Sequence, residues 1–227
     1  MALYAIGDTH LSLNSDKSME VFGVGWENYV ERLRGGFAEV NDTDTVVLCG
    51  DLSWGMSLAE AERDFAFLDH ELPGEKWLIK GNHDYWWATA AKMNAFFQEK
   101  GFSHLHILHN SCAFYGDIAL CGTRGWFYEE HGSQKVFNRE LMRLETSLRA
   151  AGEREKLAFL HYPPLYKGYR CPEILALLAQ YGVKTCCYGH LHGPSHRLTI
   201  QGVQEDGIDY QLVSADFIGF RPKKILD

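Results

Sequence analysis

The chain has 227 residues, 46% of them hydrophobic, which allows a sizeable core and one large domain, 1–227, with no room for a separate capping domain. Its net charge of −8 disfavours long nucleic acid, whose binding rests on Lys and Arg contacts to phosphate, but leaves a small phosphorylated ligand open where cations are held locally. No apolar run approaches the length of a membrane span, and the first residues enter strand-like sequence without a basic leader, so a cytoplasmic protein is expected.

Short, nearly continuous apolar runs at 3–6, 45–49, 76–80, 118–121, 157–160 and 184–188 predict strands covered on both faces. Between the first two, 27–40 carries Tyr29, Val30, Leu33, Phe37 and Val40 at helical spacing, interrupted by Gly35-Gly36. Ser57 and Glu60 have the spacing of a capping box and predict a helix over 57–72. Trp86, Ala90, Met93 and Phe97 share one helical face after Asp84. Residues 134–151 form a charged helical pattern with Leu141, Leu144 and Leu148 inward, and Pro172 and Gly182 bracket another helix over 173–181. At the end, 196–200 and 210–213 predict antiparallel strands around Gly202 and Asp206-Gly207. Strand–helix alternation followed by β-rich sequence predicts an α/β layered fold. Residues 11–26 show no period, and a loop of that length directly after candidate ligands points to function. The six cysteines include no C-x-x-C pair and are expected to be reduced and mostly buried.

Chemistry concentrates where the apolar runs end. Gly7-Asp8-Thr9-His10, Gly50-Asp51, Gly81-Asn82-His83-Asp84 and Gly189-His190-Leu191-His192 each set oxygen or imidazole donors just behind a glycine, and His161 ends a further run. A sheet delivers ligands to its carboxyl edge in this way, with glycine removing bulk at the turn. Asp8 and His10, two apart, are expected to point the same way from one extended strand end, and His190 and His192 likewise. Seven donors, Asp8, His10, Asp51, Asn82, His161, His190 and His192, suit two divalent ions. Mixed imidazole and carboxylate ligation fits Mn, Fe, Zn, Co or Ni, and the lack of cysteine argues against a closed structural zinc. Two such ions clamp phosphate oxygens and lower the pKa of a bridging water that attacks phosphorus. His83 is left over as a proton donor to the leaving oxygen, and Asp84 beside it is expected to orient it.

The blocks D-x-H, G-D, G-N-H-D, an isolated H and G-H-x-H occur in that order, and the chain resembles the calcineurin-like metallophosphoesterase superfamily across roughly residues 3–192. The resemblance implies two packed mixed sheets flanked by helices in a four-layer arrangement, a dinuclear centre, and hydrolysis of phosphomonoesters or phosphodiesters. It implies one ion on Asp8, His10 and His192, a second on Asn82, His161 and His190, and Asp51 between them, with His83 as general acid. The superfamily's protein phosphatases read G-D-x-x-D-R-G at the second block. Here the string is Gly50-Asp51-Leu52-Ser53-Trp54-Gly55, so the arginine that contacts phosphate in those enzymes is absent. A small or medium phosphate ester is therefore favoured over a phosphoprotein. A nuclease, and a non-catalytic scaffold that binds a protein partner, are the alternatives.

Arg124, after the run at 118–121, is a candidate phosphate contact, weighed against an ordinary salt bridge. Trp54, Trp87, Trp126, Phe127 and Tyr128 lie near the expected crevice loops and offer a rim for a flat group, weighed against packing. His70, His104, His106, His109, His131 and His196 carry no motif.

Overall fold

Side-chain alternation along the strands sorts this chain into layers. In β1 (Leu3–Ile6), Leu3 and Ala5 enter one core while Tyr4 and Ile6 enter another, and all four are buried. The computed structural model describes residues 1–125, 134–204 and 206–227. After β1 come α1 (Tyr29–Gly36), β2 (Thr45–Leu48), α2 (Glu62–Ala66), β3 (Glu75–Leu78), α3 (Ala90–Lys100), β4 (Leu105–Ile107), β5 (Cys112–Tyr115) and β6 (Ile118–Thr123). Then follow α4 (Gln134–Ala150), β7 (Glu155–Leu160), β8 (Leu165–Tyr166), β9 (Tyr169–Arg170), α5 (Pro172–Gln180), β10 (Thr185–Tyr188), β11 (Gly202–Val203), β12 (Asp209–Leu212) and β13 (Lys223–Leu226).

Two mixed sheets result. The first has the order β13-β1-β2-β3-β4, parallel except for β13. The second has the order β11-β12-β10-β7-β6-β5, parallel in its middle and antiparallel at both edges. Leu3, Ala5, Val47, Cys49, Leu120, Leu157, Phe159 and Cys187 fill the space between the sheets. On the outer face of the first sheet, Tyr4, Ile6, Val46 and Leu48 pack with Leu33, Phe65, Met93 and Phe97. On the outer face of the second, Ala158, Leu160, Cys186 and Tyr188 pack with Leu144, Leu148, Ile174 and Leu178. The expected helix–sheet–sheet–helix layering is therefore present, and the central strands are buried on both faces, as their unbroken apolar runs required. All six cysteines are free, and five of them are buried.

Three elements differ from expectation. Residues 57–72 are not one α-helix: Ser57 Oγ accepts from Glu60 N at 3.2 Å, but the α-turns begin at Glu62 and widen into a π-helix over Phe67–Glu71. The wider turn buries Phe67, Leu68 and Asp69 together, with Asp69 Oδ1 taking the His104 N–H at 2.7 Å. Residues 196–200 are not a strand, because Pro194 starts a 3-10 turn over Gly193–Leu198, held by Ser195 N and Oγ to the His192 carbonyl at 3.2 and 2.7 Å. β12 instead pairs with the two residues of β11. Trp86 is buried ahead of α3 rather than on it, since Thr89 Oγ1 caps that helix through Lys92 N.

Candidate metal centre

Five parallel strands aim their carboxyl ends at one place. β1 leads to Asp8, β2 to Asp51, β3 to Asn82, β7 to His161 and β10 to His190. Backbone bonds tie these ends together within each sheet, Asp8 N to Gly50 O at 2.9 Å and Gly189 N to His161 O at 3.1 Å, and between the sheets, Gly7 N to Val213 O at 2.8 Å. Arg124, just past β6, lends its carbonyl to His161 N and Tyr162 N at 3.1 and 2.8 Å.

The local backbone departs from the extended geometry expected for Asp8–His10 and for His190–His192. Asp8, His10, Asp51 and His190 have φ of 55°, 44°, 53° and 69°. They are four of the seven non-glycine residues with positive φ among the described residues. Each such residue costs about 1–2 kcal/mol, so the fold holds strain where donors converge. Close approach explains the glycines. A Cβ on Gly81 would lie 2.1 Å from Asp51 Oδ1, and one on Gly189 would lie 2.6 Å from Asp8 Oδ2.

All seven expected ligands come together. Donor atoms of Asp8, His10 and His192 lie within 4.8 Å of one another, as do those of Asp8, Asp51 and His161. Asn82 Oδ1 sits 2.7 Å from His161 Nε2 and 3.1 Å from His190 Nδ1. Asp51 Oδ2 is 3.6 Å from His161 Nε2 and 3.7 Å from His10 Nε2. Among the described residues, neither ring nitrogen of His10 has a hydrogen-bond partner, although the side chain is only 1% exposed. Burial, reinforced by the neighbouring imidazoles, holds His10 well below its ordinary pKa. The same causes lower His190 to about 2, and burial lowers His161 to about 3. A neutral His161 has one ring proton, and the Cys49 carbonyl 3.0 Å from Nδ1 can only accept. Its Nε2 lone pair therefore faces the Asn82 and Asp51 oxygens, an arrangement that calls for a cation. Burial, then the Asp51 charge, drives Asp8 well above the usual carboxylate range, which expresses the same lack of positive charge. The donor set thus fits a pair of divalent ions.

Asp84 does not orient His83. Its buried Oδ2 accepts from Gly81 N at 2.7 Å and Asp51 N at 2.9 Å, and Oδ1 accepts from Leu52 N at 2.8 Å and Trp86 Nε1 at 3.0 Å. Burial and Asp51 raise its pKa to about 7 against these N–H groups. It fastens the turns that carry the candidate ligands Asp51 and Asn82 to each other. The His83 ring is instead 3.3 Å from the Tyr85 hydroxyl through Nδ1, while its backbone N–H reaches Asp51 Oδ1 at 2.7 Å.

The family model for calcineurin-like phosphoesterases matches residues 1–194. The chain belongs to that family. Among solved structures it is similar to the phosphopantetheinyl hydrolase of Mycobacterium tuberculosis, with a TM-score of 0.60, 13% identity, and coverage of 99% of this chain and 95% of that one. It is also similar to TT1561 of Thermus thermophilus, with a TM-score of 0.56, 14% identity and coverage of 99% and 97%. A protein of unknown function, AQ665 from Aquifex aeolicus, matches with a TM-score of 0.53, 13% identity and coverage of 98% and 95%. At these identities the likeness is one of fold. No curated protein matches the sequence.

Around the centre of this calcineurin-like phosphoesterase lie two unlike flanks. A cavity of about 810 Å³ opens beside His10, His83 and His192, with Met19, Phe22, Trp26 and Trp54 among its walls. Trp54 stacks on His10 at 5.0 Å and lies 4.6 Å from the His83 ring. The unpatterned loop at 11–26 thus supplies a wall of the site. On the other side, Arg124 lies over the Tyr162 ring at 5.6 Å, and Tyr162 packs edge-on to His190 at 4.7 Å. Arg124 Nη2 is 3.9 Å from Glu140 Oε1, so it is both part of an ion pair and next to the centre. Sequence reasoning missed Tyr85 and Asp216, whose Oδ2 takes the Gly193 N–H at 2.6 Å behind His192. Tyr85 directly follows the Gly81-Asn82-His83-Asp84 block, a signal available in the sequence, whereas only the fold brings Asp216 near. Trp87 packs on Trp86 and His109. Trp126, Phe127, Tyr128 and His131 lie outside the described residues. No helix among the described residues is long and apolar enough to cross a membrane.

Proposed function

We propose that this chain is a dinuclear-metal-dependent hydrolase of small or medium phosphate esters. The observation that carries the proposal is a buried His10 whose two ring nitrogens have no hydrogen-bond partner among the described residues, set among six further N and O donors. Asp8, His10 and His192 would hold one ion, Asn82, His161 and His190 the other, and Asp51 both. Mn, Fe and Zn suit the donor set. Bound there, two divalent ions neutralise phosphate oxygens and make water nucleophilic near neutral pH.

The chain's own groups do the rest. Asp84 holds the Asp51 and Asn82 turns in register through their backbone N–H groups. Cys49 O keeps the His161 proton on Nδ1, so Nε2 stays a ligand. Tyr85 steadies the His83 ring on the wall of the large cavity, where it gives a proton to the leaving oxygen. The aromatic walls support a leaving group that is apolar or flat. The free cysteines support a reducing, cytoplasmic setting.

The test is turnover of p-nitrophenyl phosphate, bis-p-nitrophenyl phosphate and a phosphopantetheinyl ester by protein loaded with Mn²⁺, Zn²⁺ or Fe²⁺. Hydrolysis of at least one ester, lost in Asp51→Asn, is expected. Inactivity on every phosphate ester with both ions bound would exclude the proposal.

A further inference from the structure

A second polar cavity, of about 260 Å³, lies on the Arg124 side of the metal centre and is lined in part by Lys80, Arg124, Arg139 and Arg143, with His109 and Glu140. Four basic side chains there face one carboxylate among the described residues, in a chain whose net charge is −8. Glu140 is already engaged: Arg143 donates to its Oε1, Arg124 Nη2 stands 3.9 Å away, and Thr123 Oγ1 donates to Oε2 at 3.2 Å. The half-buried Lys80 ammonium and the Arg139 guanidinium make no hydrogen bond or ion pair with any described residue.

The position matters as much as the charge. Lys80 follows β3 by two residues and precedes the candidate ligand Asn82 by two, and Arg124 directly follows β6. Both stand at the carboxyl edge that carries the candidate metal donors, and Tyr162 packs against both Arg124 and His190. Like charges gathered in a partly enclosed pocket repel, and the fold bears that cost with no described carboxylate to spare. A phosphate group removes it: its oxygens accept from guanidinium forks and from an ammonium at once.

We propose that this pocket is an anion site for a phosphate group other than the one bound between the metals. The site itself does not depend on the hydrolase reading. Its occupant as a second phosphate of the substrate does rest on that reading. An ester with an apolar group toward Trp54 and an additional phosphate toward Lys80 would then span both flanks of the centre. Free inorganic phosphate is the other source with the same chemistry.

The test titrates inorganic phosphate into the metal-loaded protein by calorimetry. Two classes of site are expected. Asp51→Asn should lose the metal-centre class and keep the pocket class. Arg139→Gln with Arg143→Gln should weaken the pocket class roughly 10-fold or more, as expected for losing charge-assisted bonds, and keep the other. Arg139 is exposed, so Arg139→Gln alone gives a folded variant with a smaller loss in the same class, and Arg139→Lys should restore it. Tungstate-soaked crystals should show density in the pocket as well as at the metals. A single class in the wild type, or a second class indifferent to the arginine variants (an adventitious ion only), overturns the proposal and leaves the hydrolase reading untouched. A protein inactive on every ester that retains the arginine-dependent class would reject the hydrolase and keep the site. The source is read from p-nitrophenyl nucleotide esters with and without an additional phosphate. A rise in KM confined to the doubly phosphorylated ester in the arginine variant supports the substrate. An equal effect on both, with the pocket class lost, supports free phosphate.

Discussion

Replacing Asp84 by Asn separates two roles for this residue. The side chain is fully buried and accepts four N–H bonds of 3.0 Å or less, two on each oxygen. An amide of the same shape has one oxygen. Its NH₂ must face either Gly81 N and Asp51 N, or Leu52 N and Trp86 Nε1, donor against donor. Two buried donors left unsatisfied at about 1–3 kcal/mol each predict a loss of about 2–6 kcal/mol. For a chain of this size that lowers Tm by roughly 2–4 °C per kcal/mol. Since Asp84 ties the Asp51 turn to the Gly81 turn, metal affinity should fall as well. Calorimetric melting of wild type and Asp84→Asn, each metal-loaded and metal-stripped, measures both effects. A melting temperature unchanged within about 1 °C, with kcat alone reduced, would refute the anchoring role and restore Asp84 as the partner of His83.

Gly81→Ala puts a Cβ 2.1 Å from Asp51 Oδ1, so bound metal, counted by elemental analysis of purified protein, should drop below two ions per chain. His83→Ala should lower kcat by about 10²–10⁴-fold with metal content unchanged, whereas loss of metal with equal loss of activity would make His83 a ligand or a structural residue. Lys76 is buried with Nζ donating to Leu72 O and Gly74 O at 2.6 Å, and burial lowers its pKa from 10.5 to about 8. Between those values the unfolded chain binds more protons, so this group's penalty, complete below about pH 8, is relieved as pH rises toward 10.5. The stability of wild type relative to Lys76→Met, from urea midpoints, should therefore rise by up to about 1.4 kcal/mol per pH unit across that window, and a flat difference would show the amine is not buried as a cation at neutral pH.

The layering, and the gathering of the candidate ligands at one sheet edge, were legible in the sequence for one reason. A strand buried on both faces is an unbroken apolar run, and a glycine just before a donor at its carboxyl end marks a close turn, so Gly50-Asp51 and Gly81-Asn82 announce both at once, while His161 follows Leu160 directly. The strand at 184–188 and the histidines after it follow the same logic. What escaped depends on partners distant in the chain. β13 is a four-residue edge strand, Lys-Lys-Ile-Leu, mostly half-buried and without a clear pattern, readable only once β1 is there to pair with it. The π-turn over Phe67–Glu71 buries Phe67, Leu68 and Asp69 together, a widening that the helical spacing of 57–72 does not encode. Asp84 adjoins His83 in sequence, and adjacency suggested a dyad; its chemistry is set by N–H groups from 51, 52 and 81. The left-handed φ of Asp8 and His10 is likewise imposed by tertiary bonds from Asp8 N to Gly50 O and His10 N to Asp51 O, both 2.9 Å.

The most direct measurement is anomalous diffraction from crystals grown with Mn²⁺ or Zn²⁺, recorded on both sides of the metal absorption edge. Two peaks about 3.5–4 Å apart are expected, with the Asp51 carboxylate between them, His10 and His192 at one, and His161 and His190 at the other. A lone ion, or clean density among those imidazoles under saturating metal, would contradict the account.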